Sequence, residues 1–219
     1  MRARTVAVSI ALVVAVSAVA ADRPDVGAPR QQAQISGDPT KPRRHFRVPN
    51  AAELSPADAK RIYARIATDV EEAYKLSRHP VATSYRRWKQ YNAAPYRSAT
   101  HGRRYVNNYA NRAAAAYGRY EDAGTLPVGA VIAKDSFAVT EDGAVHPGPM
   151  FVMEKMPAGF NDASGDWRYT MIMPDGSIFG VTDGTGSKRV EYCISCHLAR
   201  ESHDHLFFVP EAYRLVAGD

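Results

Sequence analysis

The sequence predicts an α+β domain in which a mostly antiparallel β-sheet is accompanied by N-terminal and peripheral helices. Apolar residues recur every four positions after Ser55, whereas beyond residue 126 they alternate with polar ones. A turn signature, Pro174-Asp175-Gly176, ends the last long alternating run and indicates a hairpin. With 219 residues, 45% of them hydrophobic, and no internal repeat, we expect one folded domain with a substantial core.

The helical part is predicted by an N-terminal capping signal and an apolar stripe. Ser55 has the side chain of an N-cap, and it is followed by Pro56 and an acid at Asp58. The stripe that follows consists of Ile62, Ile66, Val70 and Tyr74. A second short helix is predicted after Asn107 or Asn108, ending at Gly118.

The strands are predicted where the apolar period changes to two. Three runs have this pattern, at residues 128–134, 150–156 and 166–173, and a shorter run at 177–181 follows the hairpin turn. Within the third run one face carries Trp167, Tyr169, Met171 and Met173. This region precedes a cysteine motif near the C-terminus.

The N-terminus has the composition of a secretory signal peptide. Two arginines precede an apolar run from Val6 to Val16 and a small-x-small site at residues 18–20. We therefore predict a cleaved signal peptide over residues 1–20, a flexible segment over 21–50, a functional domain over 51–219, and a periplasmic or secreted location. The apolar run is shorter than the roughly 20 residues of a membrane span, so we expect none in the mature protein.

An aromatic and basic stretch at residues 85–91 has the composition of a nucleic-acid surface. An exported protein has little occasion to meet nucleic acid, and net charge is only +5. We interpret the stretch as a solvated segment whose rings pack inward, and expect no nucleic-acid partner.

The strongest chemical signal is the motif Cys193-Ile194-Ser195-Cys196-His197, which holds both cysteines of the chain. Two thiols at this spacing add across the vinyl groups of haem, and the adjacent imidazole then binds the iron. A dithiol redox centre would not need the histidine, and a zinc site would need a second ligand pair at similar spacing. We therefore predict one covalent haem c through Cys193 and Cys196, with His197 as the iron ligand.

The position of the motif narrows the class of cytochrome. Small electron carriers take a methionine downstream of the motif, but none occurs in the 22 residues after His197. The helical-bundle cytochromes c prime need four long helices, whereas much of residues 126–182 is predicted as strand and turn.

Five segments instead resemble the cytochrome P-460 family and the related beta-type cytochromes c prime, over about residues 53 to 215. These are THGRRYVNN at 100–108, LPVGAVIAKD at 126–135, GDWRY at 165–169, CISCH at 193–197 and DHLFF at 204–208. The resemblance implies a mostly antiparallel β domain with added helices, frequently a homodimer, and a haem with an open distal face.

The resemblance also implies roles for individual residues. Lys134 matches a lysine bonded to a meso carbon of the porphyrin, and Arg103 matches an arginine near the haem that would pair with a propionate. Hydroxylamine oxidisers of the family move protons with a distal carboxylate. Glu154 is our candidate for that catalytic role, with Asp135 and Asp166 as the other acids on or near the sheet.

The function depends on the sixth position of the iron. An open position would bind hydroxylamine, nitric oxide or peroxide, whereas a protein ligand would leave only electron transfer. Potential sixth ligands are Met150, Met153, Met156, Met171, Met173, His101, His146, His203 and His205. We expect the methionines to be core residues.

The resemblance implies a haem enzyme, an oxidoreductase for hydroxylamine or nitric oxide-level nitrogen species that passes electrons to an acceptor cytochrome. The alternatives are a non-catalytic gas-binding cytochrome of the beta-type c prime kind and a simple electron carrier. A gas trap can be lined with phenylalanine, for which Phe137, Phe151, Phe160 and Phe179 are candidates.

Overall fold

The computed structural model describes residues 48–215, so the predicted signal peptide at 1–20 and nearly all of the segment at 21–50 lie outside the described residues. The α+β prediction is confirmed. The α-helices are α1 (Pro56–Lys75) and α2 (Ser187–His197). The strands are β1 (Lys89–Gln90), β2 (Tyr96–Arg97), β3 (Tyr105–Ala110), β4 (Val131–Val139), β5 (Val145–Pro147), β6 (Met150–Lys155), β7 (Trp167–Ile172) and β8 (Ile178–Val181). Short 3₁₀ helices cover Tyr85–Arg87, Arg112–Asp122, Asp162–Ser164, Leu198–His203 and Glu211–Tyr213.

The strands of residues 48–215 form one eight-stranded sheet in the order β1-β3-β4-β6-β7-β8, with β2 also paired to β3 and β5 to β4. Every pairing is antiparallel. The register sets Asn108, Lys134, Phe151 and Met171 side by side across four strands. Residues directly opposite each other project from the same face of a sheet, so this row defines one face.

The two faces of the sheet are covered by different helices. On the face that carries Phe151 and Met171, the core includes Val190 and Cys193 from α2. Residues of the opposite face join a second core with Val70 and Tyr74 of α1. Because side chains alternate along a strand, neighbouring residues of β4 serve these two different cores.

Helix α1 begins as the sequence predicts, because Ser55 Oγ accepts a hydrogen bond from the Asp58 backbone N–H at 3.2 Å. Its buried stripe is rotated slightly from the prediction. Tyr63 and Ala67 are buried together with Val70 and Tyr74, while Ile62 and Ile66 are only partly buried.

The predicted helix after Asn107 or Asn108 begins later, because both residues belong to β3. Asn111 is the N-cap of the 3₁₀ segment and accepts from Ala114 N–H at 3.0 Å. That segment continues past Gly118 to Asp122. Strand β4 likewise starts at Val131, after a turn in which Gly129 has φ +84°. None of the helices in the described part of the chain has the length and apolar character needed to cross a membrane.

Candidate functional site

A cavity of about 560 Å³, including its open mouth, lies against the sheet face that packs on α2. Its wall is formed by Thr100, His101, Ile132, Lys134, Phe151, Val152, Met153, Tyr169, Thr170, Met171, Cys193, Cys196, His197 and Phe207. The cavity therefore brings the cysteine motif together with the middle strands of the sheet, which are distant from it in sequence.

The motif occupies the last turn of α2, where positions three apart lie on the same side of a helix. Cys193 and Cys196 both line the cavity; Cys193 is buried and Cys196 is exposed. Neither forms a disulfide in the described structure. Burial raises the pKa of the Cys193 thiol to about 12, so it is protonated at neutral pH.

His197 is buried and held in a defined orientation. Its Nδ1 lies 2.7 Å from the backbone carbonyl oxygen of His205, which we interpret as an Nδ1–H donating to that oxygen. The ring is flanked by Tyr169 and Phe207, each with a centroid 5.1 Å away. Burial, with a smaller contribution from the charge of Lys134, lowers the pKa of His197 to about 3. A neutral imidazole with Nδ1 engaged leaves its Nε2 lone pair for a metal.

Lys134 stands in the middle of β4, between Asn108 of β3 and Phe151 of β6. Only 5% of its surface is exposed, and it forms part of the cavity wall. No ion pair joins its ammonium group to another residue within 48–215. Burial alone lowers the pKa of Lys134 to about 8, so a substantial fraction of the amine is neutral near physiological pH.

Two other predicted site residues lie outside the wall. Arg103 is exposed in a turn with φ +60°, while the next residue, Arg104, is partly buried near Tyr74 and Tyr192. Glu154 lies near the end of β6 and forms an ion pair with Arg168 at 3.0 Å. Phe151 and Met153 belong to the core against α2 and Val152 to the core on the α1 face, so the alternation of the strand directs Glu154 to the α1 face.

The other two acids considered from the sequence also lie elsewhere. Asp135 is fully buried on the α1 face, where it accepts hydrogen bonds from Tyr63 and, at 3.0 Å, from Asn107 Nδ2. Asp166 is in a turn with φ +62° and accepts from Asn161 N–H at 3.0 Å. Neither carboxylate lines the cavity.

Of the nine potential sixth ligands, His101, Met153 and Met171 are in the cavity wall. His101 Nδ1 lies 2.8 Å from Ser98 Oγ, and its ring centroid lies 4.6 Å from that of Phe151. Of the four phenylalanines proposed to line a pocket, Phe151 does so. The sequence suggested His101 only as an iron ligand. Because its ring lies within hydrogen-bonding distance of the Ser98 hydroxyl, His101 is also a candidate for proton transfer.

The groups around the cavity fit a haem. Two thiols and a neutral, oriented imidazole are gathered at one side, and the remaining wall is largely apolar. Such a donor set would offer two thiols for thioether bonds and one imidazole nitrogen for iron.

Comparison with known proteins identifies one family. The family model described as Cytochrome P460 matches residues 82–208, which is more than half of the chain and includes every residue of the cavity wall. No curated protein matches the sequence.

Proposed function

This chain belongs to the cytochrome P460 family and is a haem cytochrome; from that premise we propose that it oxidises hydroxylamine or a related small nitrogen compound. The observation that carries the proposal is that Cys193, Cys196, His197 and Lys134 line one cavity. We further propose that the protein is exported, that its single haem is attached through both cysteines, and that its electrons pass to an acceptor cytochrome. A homodimer, frequent in the family, is the proposed assembly.

The chemistry that haem supplies when bound is a site for a nitrogen ligand and a path for its electrons. The protein contributes the proximal ligand through His197, whose pKa of about 3 keeps the imidazole neutral. The side chains of Phe151, Met153 and Met171 make much of the wall apolar.

Oxidation of hydroxylamine releases protons, which a base near the bound substrate must accept. We favour His101 over Glu154 for this role, because His101 is in the wall whereas Glu154 is paired with Arg168. Ser98 Oγ lies 2.8 Å from His101 Nδ1 and would hold the orientation of the ring. For a propionate we favour Arg104 over Arg103, because Arg104 is partly buried whereas Arg103 is exposed.

The same apolar wall supports the second candidate function, a gas-binding cytochrome without turnover. Small neutral gases need no proton acceptor, and Phe151 with two methionines suits them. The proposed oxidation depends on His101 as a proton acceptor, whereas gas binding does not.

The test is an anaerobic titration of the ferric protein with hydroxylamine and an artificial electron acceptor, followed by absorption. We expect many equivalents of acceptor to be reduced per haem. His101→Gln should lower this rate about 100-fold while leaving haem content unchanged, a loss at the lower end of the range for general base catalysis. Ligand binding without acceptor reduction would refute the enzyme and favour the gas binder.

A further inference from the structure

The His205 carbonyl, which accepts a hydrogen bond from His197, belongs to an unusual stretch of backbone. Asp204 and His205 are consecutive residues with left-handed conformations, φ 53° and 61°. A side chain makes this conformation unfavourable, so it persists only where the surroundings hold it. This turn directs the His205 carbonyl toward His197 Nδ1, at 2.7 Å.

A buried ion pair holds the turn. The ammonium of Lys155 lies 2.5 Å from Asp204 Oδ1, and the two side chains are 10% and 5% exposed. The second carboxylate oxygen accepts from the Leu126 backbone N–H at 2.8 Å, and the Asp204 carbonyl accepts from Trp167 Nε1 at 2.9 Å. Asp204 is thereby bound through its side chain and its backbone at the same time.

Lys155 is itself positioned by two further contacts. Its Nζ donates to the Gly165 carbonyl at 2.8 Å and lies 5.1 Å from the centre of the Trp167 ring. Gly165 also abuts His205 so closely that a Cβ there would come within 2.5 Å of the imidazole. One cluster therefore ties the end of β6 and the start of β7 to the turn behind His197.

We propose that Lys155 and Asp204 are positioning residues for the iron ligand, in that their ion pair keeps the His205 carbonyl against His197 Nδ1. This inference rests on the proposed role of His197 as the proximal ligand. An acceptor on Nδ1–H increases the basicity of the imidazole toward iron and so favours the ferric state. Loosening the turn weakens that hydrogen bond and shifts the equilibrium toward ferrous iron.

The sign of the effect separates positioning from simple electrostatics. Asp204→Asn removes a negative charge, and Lys155→Met removes a positive one. If these charges acted only through space, the first variant would raise the haem midpoint potential and the second would lower it. If they act by holding the turn, both variants raise it.

The experiment is a redox titration of the holoprotein without substrate, together with resonance Raman measurement of the iron–histidine vibration in the ferrous state. We expect both variants to shift the ferric–ferrous equilibrium about tenfold, corresponding to about 59 mV for one electron. The vibration should move to lower frequency in both. Asp135→Asn is the control, because it removes a fully buried carboxylate from the opposite face and should leave the vibration unchanged.

Lys155→Gln is the second variant if Lys155→Met does not accumulate, since glutamine keeps a donor for the Gly165 carbonyl. Potentials that move in opposite directions, or an iron–histidine vibration that is unchanged in both variants, would overturn the inference. Neither readout involves hydroxylamine, so a failure of the proposed activity is seen separately.

Discussion

Lys134 matches the family lysine that is bonded to the porphyrin, and we predict that its burial sets the rate at which such a bond would form. An ordinary lysine pKa of 10.5 is lowered here to about 8 by desolvation. At pH 7 roughly one molecule in ten then carries the neutral amine, against roughly one in 3,000 at the ordinary value. The lowered pKa therefore makes the nucleophile about 300-fold more abundant.

The reaction replaces one ring C–H and one N–H bond by a C–N bond, and releases two protons and two electrons. Hydrogen peroxide takes up the two protons and the two electrons and becomes two molecules of water. One peroxide is therefore consumed for each C–N bond that forms. The neutral amine of Lys134 would be the nucleophile in this reaction. Only this deprotonated form is reactive.

The assay starts from protein matured without peroxide and then exposed to it at pH values from 6 to 10. We expect the rate of the Soret change to rise about tenfold per pH unit below pH 8 and to level off above it. Peptide mapping should then recover the Lys134 peptide joined through one haem to the Cys193–His197 peptide. Lys134→Met should show neither change.

The reasoning is refuted if the rate still rises about tenfold per pH unit between pH 8 and 10, which would mean that the pKa of the amine is close to its ordinary 10.5 and that the amine is hydrated. It is also refuted if the Lys134 peptide is recovered unmodified after peroxide exposure. The second result would favour the gas-binding function.

Three further predictions follow from the same geometry. Changing Cys193 and Cys196 to Ala should make haem extractable by acid acetone, apart from any fraction held by Lys134; full retention would contradict thioether attachment. The resting ferric protein should be five-coordinate and high-spin by electron paramagnetic resonance, and a purely low-spin signal would indicate an electron carrier. Tyr63→Phe removes a hydrogen bond to buried Asp135 and should cost about 2 kcal/mol, or roughly 4–8 °C in calorimetric Tm. A Tm equal to that of the unmodified protein would show that this bond contributes nothing.

Local signals in the sequence predicted much of the fold. The cap at Ser55 starts α1, and three of the alternating runs correspond to β6, β7 and β8 within about two residues. The strands β1 and β2 were missed because each has only two residues and shows no period. Such short strands exist because β3 supplies their hydrogen bonds, which is a long-range effect.

The candidate site, like the fold, could be predicted from the sequence only in part. The chemistry of the motif at residues 193–197 is a property of five adjacent residues, and Lys134 was identified by resemblance. The local pattern could not show whether Glu154 faces the cavity, because its face depends on how β6 pairs with its neighbouring strands. The pairing directs Glu154 toward Arg168, and the cavity receives His101 instead.

By itself the sequence determined which groups can bind haem, since two thiols and an imidazole at fixed spacing are sufficient for that chemistry. Only the tertiary structure decided how the imidazole is held. The carbonyl of His205 reaches His197 because a left-handed turn is locked by Lys155, which lies about 50 residues earlier in the chain. A backbone acceptor carries no sequence signature, and a buried ion pair of this separation forms only when the sheet brings its partners together.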